Sequence, residues 1–219
     1  MKCAVLSNVG LVRKRNEDSY LANAIDGLFV VCDGIGGRDN GDVASSTAID
    51  VIGRCLPYVT DGWSLGLLTE YIHLANKTIQ ESAAADKKLR DMATTCTAAA
   101  IDDHTLLVAH VGDSSLFIIR GDCILRITDV HHFPPPNEHV LANALGVYRH
   151  DCIDTHAVPL HDGDKVLLCS DGLTDMLGQD DILAIVQKER SLDKAVEALV
   201  QLALDRGGFD NVTVIVASI

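Results

Sequence analysis

Five short motifs with acidic residues occur along the chain, each where an apolar, strand-like run gives way to a turn. They are Arg13-Lys14-Arg15-Asn16-Glu17-Asp18, Asp33-Gly34-Ile35-Gly36-Gly37, Gly112-Asp113-Ser114, Ser170-Asp171-Gly172-Leu173-Thr174-Asp175 and Asp210-Asn211. Carboxylates at the ends of buried strands are costly to remove from water unless positive charge is held between them, and no matching set of Lys or Arg accompanies these motifs. The pattern therefore predicts a site for one or more hard divalent cations.

Two of the motifs have a context that separates them from ordinary Asp-Gly turns. Asp33 and Asp171 each follow an apolar run, Leu28–Cys32 and Val166–Cys169. We expect each carboxylate to project from a strand end, while the following glycine lets the backbone carbonyl approach a ligand. A nucleotide-binding loop is excluded, because Asp39 stands where G-x-G-x-x-G requires its third glycine and no G-K-[ST] sequence occurs.

Length and composition indicate a single globular domain over residues 1–219. The chain is 47% hydrophobic, which is enough to form a sizeable core. Its formal net charge of -13, with no basic stretch that stands out, argues against nucleic acid or an anionic membrane as partner. The N-terminus begins with the strand-like Lys2–Leu6 and no longer apolar segment, so we expect no signal peptide or membrane span and a cytoplasmic location.

The seven cysteines are isolated from one another along the chain. Because no C-x-x-C pair is present, a zinc or redox motif has no support. Most of these cysteines lie among Val, Leu and Ile, so we expect reduced, structural and mostly buried thiols.

Apolar patterning separates predicted strands from predicted helices. Short runs rich in Val, Ile and Leu predict strands at 28–32, 106–111, 116–119, 166–169 and 212–217. Apolar spacings of three and four predict helices at 43–56, 65–84, 182–189 and 192–204. Asp180 and Ser191 are the predicted N-caps of the last two helices. These segregated blocks predict an α+β fold, an α-β-β-α sandwich in which helices flank two mainly antiparallel sheets.

The motifs together resemble those of a known family. They read Arg13-x-x-Asn16-Glu17-Asp18, Asp33-Gly-x-Gly-Gly37, Gly41-x-Val-Ala-Ser45, Thr94-Thr95, Val-Gly-Asp113-Ser, Leu-x-Ser-Asp171-Gly-Leu-Thr-Asp175 and Asp210-Asn-x-Thr213. Their order and spacing resemble the metal-dependent protein phosphatases of the 2C type, the PPM family, and in particular its short bacterial Ser/Thr phosphatases. The resemblance covers essentially the whole chain.

The resemblance implies a centre of two divalent ions, Mn²⁺ or Mg²⁺, with a water bridging them that attacks phosphorus. Asp33 would bridge both ions. Asp171 and Asp210 would bind one ion, and Glu17 and the carbonyl of Gly34 would bind the other. All-oxygen ligation of this kind favours Mn²⁺ or Mg²⁺ over Zn²⁺.

Three further roles follow from the same resemblance. Asp18 would orient the metal-bound water, and Arg13 would bind the substrate phosphate. Asp113, with Asp171, would bind a weaker third ion. Two structural alternatives stay open: Asp113 could only cap a turn, and Arg13 could belong to a surface cluster with Lys14 and Arg15.

The sequence also departs from the family pattern. Ile35 stands where many animal relatives have a histidine proposed as general acid, so the leaving-group proton must come from water or elsewhere. The arginine that usually follows Gly-Asp-Ser is replaced by Ser115. The flap is reduced to a proline-rich stub, 129–138, predicted to be extended and exposed, in which His131 and His132 are predicted to be solvated.

Two functions remain open from the sequence. The first is an active phosphatase, acting as a monomer on phosphorylated Ser/Thr proteins that are targets of a cognate Ser/Thr kinase. The second is a catalytically weak binding or regulatory module, suggested by the reduced flap. Loss of a core acid would favour the second, and the sequence retains all five.

Overall fold

The computed structural model describes residues 1–35, 40–137, 140–147 and 152–219. Gly36 and Gly37 of the second motif and Glu138 of the stub lie outside these ranges. The strands are β1 (Lys2–Asn8), β2 (Asp18–Asn23), β3 (Leu28–Asp33), β4 (Cys96–Asp102), β5 (Thr105–Val111), β6 (Ser115–Arg120), β7 (Cys123–Arg126), β8 (Asp154–Pro159), β9 (Lys165–Cys169) and β10 (Val212–Ser218). The helices are α1 (Gly41–Cys55), α2 (Leu65–Ala85), α3 (Asp171–Thr174), α4 (Gln179–Lys188) and α5 (Leu192–Asp205).

The strands form two five-stranded antiparallel sheets. The first sheet has the order β1-β10-β9-β6-β7 and the second has the order β2-β3-β4-β5-β8. Helices α1 and α2 pack on the outer face of the second sheet, and α4 and α5 pack on the outer face of the first. The predicted α-β-β-α sandwich is confirmed.

Central strands of the sandwich are buried on both faces. In β3, Val30 belongs to the core shared with α1 and α2, whereas Phe29 and Val31 belong to the core between the sheets. Successive side chains of a strand point to opposite faces, so a strand between two apolar layers needs apolar residues throughout. This explains why β3 is a continuous apolar run.

The helix starts agree in part with the predicted caps. Ser191 accepts a hydrogen bond from the backbone N–H of Lys194 at 3.2 Å and is the N-cap of α5, as predicted. Asp180 is not the N-cap of α4, because the helix already begins at Gln179 after Gly178. The N-cap is Gly178, whose backbone N–H donates to the carboxylate of Asp181 in the first turn at 3.2 Å.

The cysteines are mostly buried, as expected. Four of them, Cys32, Cys55, Cys96 and Cys169, are buried, and all seven are free thiols. Within the described ranges, no helix is both long enough and apolar enough to cross a bilayer.

Candidate metal centre

The acidic motifs meet at one end of the sandwich because of strand direction. Asp18 begins β2 and lies opposite Asp33, the last residue of β3. Asp171 follows the end of β9, and Asp210 precedes the start of the neighbouring strand β10. Antiparallel neighbours place the end of one strand beside the start of the next, so these residues share one edge of the fold. The turn between β5 and β6 adds Asp113.

A cavity of about 850 Å³ opens at this end of the sandwich. Eight residues have a role predicted from the sequence. Seven of them line the cavity, namely Arg13, Glu17, Asp33, Gly34, Asp113, Asp171 and Asp210. The eighth, Asp18, is only 8% exposed. The remaining wall is largely apolar and includes Met92, Leu141 and Val147.

The backbone of Asp33 is fixed by the neighbouring Thr94 and Thr95. The hydroxyl of Thr95 accepts from the Asp33 N–H at 2.9 Å, and the Thr95 N–H donates to the Asp33 carbonyl at 2.8 Å. The Thr94 hydroxyl donates to the same carbonyl at 2.9 Å. These neutral groups leave the Asp33 carboxylate free to face the cavity without adding charge.

Asn211 is a central positioning residue whose role was not predicted from the sequence. Its side-chain oxygen accepts from the Glu17 N–H at 2.8 Å. Its amide nitrogen donates to the carbonyls of Val9 and Arg15, each at 2.9 Å. The Ser45 hydroxyl donates to the Glu17 carbonyl at 2.6 Å and completes the support of Glu17. The Asp-Asn pair and the Gly-x-Val-Ala-Ser motif were the only sequence signals for these contacts.

Asp18 joins the two sheets behind the cavity wall. Its Oδ2 accepts hydrogen bonds from Ser170 at 2.8 Å and from Thr213 of β10 at 2.6 Å. Burial raises the pKa of Asp18 to about 6, the charge of Asp210 adds to this, and the two hydroxyl donors oppose it. Its Oδ1 is buried and has no partner within the described ranges.

The cavity carboxylates hinder one another's ionisation. Burial raises the pKa of Asp171 to about 7, and the charges of Asp113 and Asp175 contribute. Burial also raises the pKa of Asp33 well above its usual range, with Asp18 and Asp171 adding repulsion. Burial and then Asp42 raise the pKa of Glu17. Such shifts mean that ionising all of these groups near neutral pH is costly unless a cation is held between them.

Arg13 lies at the edge of the cavity, against Asp210. Its guanidinium is 2.6 Å from the Asp210 carboxylate, and the two side chains are 43% and 33% exposed. One of the cations that line the cavity is therefore bound to an acid predicted to ligate a metal.

The residues fit a hard divalent cation in chemistry. Every donor is an oxygen, and Asp171 Oδ1, like Asp18 Oδ1, is buried without a partner within the part of the chain that the structure describes. Within the same ranges, no three His, Cys, Asp or Glu side chains already surround one ion position. The Asp210 carboxylate faces Arg13, and the Asp33 carboxylate faces Asp171. Ion binding therefore requires the carboxylates of Asp210, Asp33 and Asp171 to turn toward a shared ion.

The stub differs from its predicted form. Residues 132–137 are exposed as expected, but 134–137 form a turn closed by the Asn137 N–H and the Pro134 carbonyl at 3.1 Å, so the stub is not extended. Its start folds back onto the Gly112 turn, where the His131 N–H donates to the Gly112 carbonyl at 2.8 Å.

The two stub histidines are not simply solvated. The His131 side chain is 13% exposed, lies 3.0 Å from Asp154, and accepts the Gly112 N–H at 3.2 Å. His132 is partly exposed, and its Nε2 is 3.1 Å from Asp113. These partners are distant from the histidines along the chain, so local sequence patterns could not predict the contacts.

Comparisons with known proteins agree on one family. The profile of the family described as Protein phosphatase 2C matches residues 13–207. Serine/threonine phosphatase stp of Listeria innocua is 30% identical, with 94% of this chain and 91% of that protein covered. Protein phosphatase PhpP of Streptococcus pneumoniae is 29% identical, with 100% of this chain and 97% of that protein covered.

A solved structure extends the comparison to the site. The catalytic domain of the serine threonine protein phosphatase PstP, in complex with two manganese ions, has a TM-score of 0.89 and is 32% identical. The match covers 99% of this chain and 97% of that one. Both sequence and fold therefore place this chain with protein phosphatases.

The raised carboxylate pKa values predict how stability depends on pH in metal-free protein. In the folded protein, the pKa of Asp18 is about 6 and the pKa of Asp171 is about 7. An Asp in the unfolded chain has a pKa of about 4. The folded state therefore holds more protons in this window, and its free energy of unfolding falls as pH rises. In EDTA, the melting temperature should fall between about pH 5 and about pH 8. Saturating Mn²⁺ should reduce that fall.

The matched variants are Asp171→Asn and Asp162→Asn, since the Asp162 side chain is 94% exposed. The first should flatten the pH dependence and the second should preserve it. A melting temperature in EDTA that stays constant or rises across this range in the wild type would contradict the electrostatic description.

Proposed function

Because the chain belongs to the protein phosphatase 2C family, we propose that it hydrolyses phosphoserine and phosphothreonine in proteins with two bound divalent ions. It is a protein serine/threonine phosphatase and hence a hydrolase. The observation that carries the mechanism is the convergence of Glu17, Asp33, Asp171 and Asp210 on one cavity.

The ions would be Mn²⁺ or Mg²⁺, held by Asp33, Asp171, Asp210, Glu17 and the Gly34 carbonyl. When bound, they would lower the pKa of the attacking water and neutralise the phosphoryl oxygens. A weaker third ion would lie at Asp113 and Asp171. The two manganese ions of the similar PstP domain support the choice of metal.

Arg13 binds the phosphate in this proposal. A guanidinium presents paired donors that match two phosphoryl oxygens, and its place beside Asp210 brings the phosphate to the ion site. The incoming phosphate would replace the Asp210 carboxylate as the partner of Arg13. Asp210 would then be released toward an ion.

Asp18 orients the attacking water. Ser170 and Thr213 fix one carboxylate oxygen, which leaves Oδ1 as the available acceptor. A rigid acceptor of this kind aligns a water for in-line attack without itself bonding to phosphorus. No histidine is among the described residues that line the cavity, so the leaving-group proton is assigned to solvent water.

We assign the substrates to phosphorylated Ser/Thr proteins, in opposition to a cognate kinase, and the protein to the cytoplasm as a monomer. The alternative of a catalytically weak binding module would require a missing or misplaced core acid. All five core acids are retained, and four of them line one cavity with the fifth directly behind it. The hypothesis of an active enzyme is therefore better supported than that of a binding module.

Hydrolysis should depend strictly on divalent ions. p-Nitrophenyl phosphate and a phosphothreonine peptide should be hydrolysed with Mn²⁺ or Mg²⁺ and not with EDTA, because the donor set is made of oxygens alone. Asp33→Asn removes a ligand charge and should lower kcat by about a hundredfold or more. Asp162→Asn, at an exposed position, is the matched control and should keep full activity. Undiminished turnover in EDTA would contradict the mechanism.

Arg13→Ala should separate substrate binding from metal binding. We expect kcat/KM for the phosphopeptide to fall by about tenfold or more, because the guanidinium acts on both ground state and transition state. Calorimetry should show Mn²⁺ affinity unchanged or tighter, because a cation that competes for Asp210 has been removed. Arg54→Ala, whose side chain is 83% exposed on α1, is the control. A collapse of Mn²⁺ binding in Arg13→Ala would make Arg13 structural.

A further inference from the structure

A group of three large apolar side chains is exposed next to Arg13 and Asp210 of the candidate centre. Leu11, Val12 and Phe209, here called the apolar rim, are 68%, 61% and 61% exposed. Val12 immediately precedes Arg13, and Phe209 immediately precedes Asp210. Because Arg13 and Asp210 are in contact at 2.6 Å, the rim adjoins the phosphate end of the cavity.

The rim is built on a fixed backbone. The Leu11 N–H donates to the Gly208 carbonyl at 2.8 Å, which pins the two rim loops together. Gly207 and Gly208 have φ values of +133° and +51°, in the region that favours glycine. A Cβ on Gly207 would lie 2.7 Å from the Phe209 ring, and one on Gly208 would lie 3.1 Å from the Leu11 side chain. Both apolar side chains therefore lie directly against this glycine turn.

Because the two loops are joined by this hydrogen bond, their backbone loses little conformational freedom when a ligand covers the rim. Binding to a prearranged backbone is favoured for that reason, and exposed apolar clusters commonly mark interaction sites. The rim therefore has the properties of a contact surface.

The size and place of the rim indicate its occupant. A stable interface between proteins buries about 800 Å² on each partner, which three side chains cannot supply. A single apolar side chain of a peptide is a better match. Extended peptide advances about 3.3 Å per residue, so a residue within about three positions of a phosphate at Arg13 reaches the rim.

We propose that the apolar rim binds an apolar side chain located within three residues of the phosphorylated Ser or Thr in the substrate. Leu11 and Phe209 are then specificity-determining residues for the phosphatase reaction. The proposal rests on the proposed function. It assigns selectivity for the peptide sequence to the rim and not to the stub.

The test uses phosphothreonine peptides in which Leu or Ser occupies each position from three before to three after the phosphorylated residue. At one or more positions, Leu should improve kcat/KM and affinity by about fivefold to tenfold, as expected for partial burial of one apolar side chain. Leu11→Ser and Phe209→Ser should reduce that preference to below about twofold. Ile25→Ser is the control, because Ile25 is 95% exposed in a different turn, and it should keep the preference.

Two further measurements separate the rim from the centre. Mn²⁺ affinity by calorimetry should be the same in wild type and Phe209→Ser, which shows that Asp210 is intact. Fluorescence anisotropy of labelled peptides reads binding even without turnover, so loss of catalysis alone would count against the proposed function and not against the rim.

Three outcomes would overturn the proposal. The first is equal binding of all Leu and Ser peptides by the wild type. The second is a preference that survives in the Leu11→Ser/Phe209→Ser double variant. The third is concentration-dependent dimerisation in ultracentrifugation that Phe209→Ser abolishes, which would make the rim an interface between two copies of the chain.

Discussion

Repulsion between carboxylates gathered at one end of the sandwich is the constraint on which the site depends. Asp18, Asp33 and Asp171 all have raised pKa values, first because they are buried and then because other carboxylates lie nearby. Such a cluster is unfavourable when fully ionised unless positive charge offsets it. Among the described residues that line the cavity, the two arginines, Arg13 on Asp210 and Arg90, are fewer than the carboxylates, so we expect bound cations to supply most of the compensating charge.

Neutral residues hold these acids in place, which leaves their charge available. Thr94 and Thr95 fix the backbone of Asp33, and Asn211 fixes that of Glu17. Thr213 connects Asp18 to the opposite sheet. A lysine or arginine at Thr95 or Asn211 could not accept the N–H groups of Asp33 and Glu17, and its charge would oppose the binding of an ion. The support of the site is therefore polar and uncharged.

Much of this could be predicted from sequence, and the failures have physical causes. β3 and β10 are buried on both faces, so their continuous apolar runs identified them. β2, β7 and β8 were missed because they are edge strands with mixed exposure and polar residues. β4 was missed because its core is Ala98–Ala100, and alanine is a poor strand former. Local patterning also could not reveal the contacts of His131 and His132, which join residues distant in sequence.

The central claim is that these carboxylates share two divalent ions. The most direct measurement is anomalous diffraction at the manganese edge from crystals of the protein grown with Mn²⁺. The account predicts two strong peaks about 3.5–4 Å apart, bridged by Asp33 and flanked by Glu17 on one side and by Asp171 and Asp210 on the other. A single peak, or peaks bound elsewhere with Asp33 still facing Asp171, would contradict it.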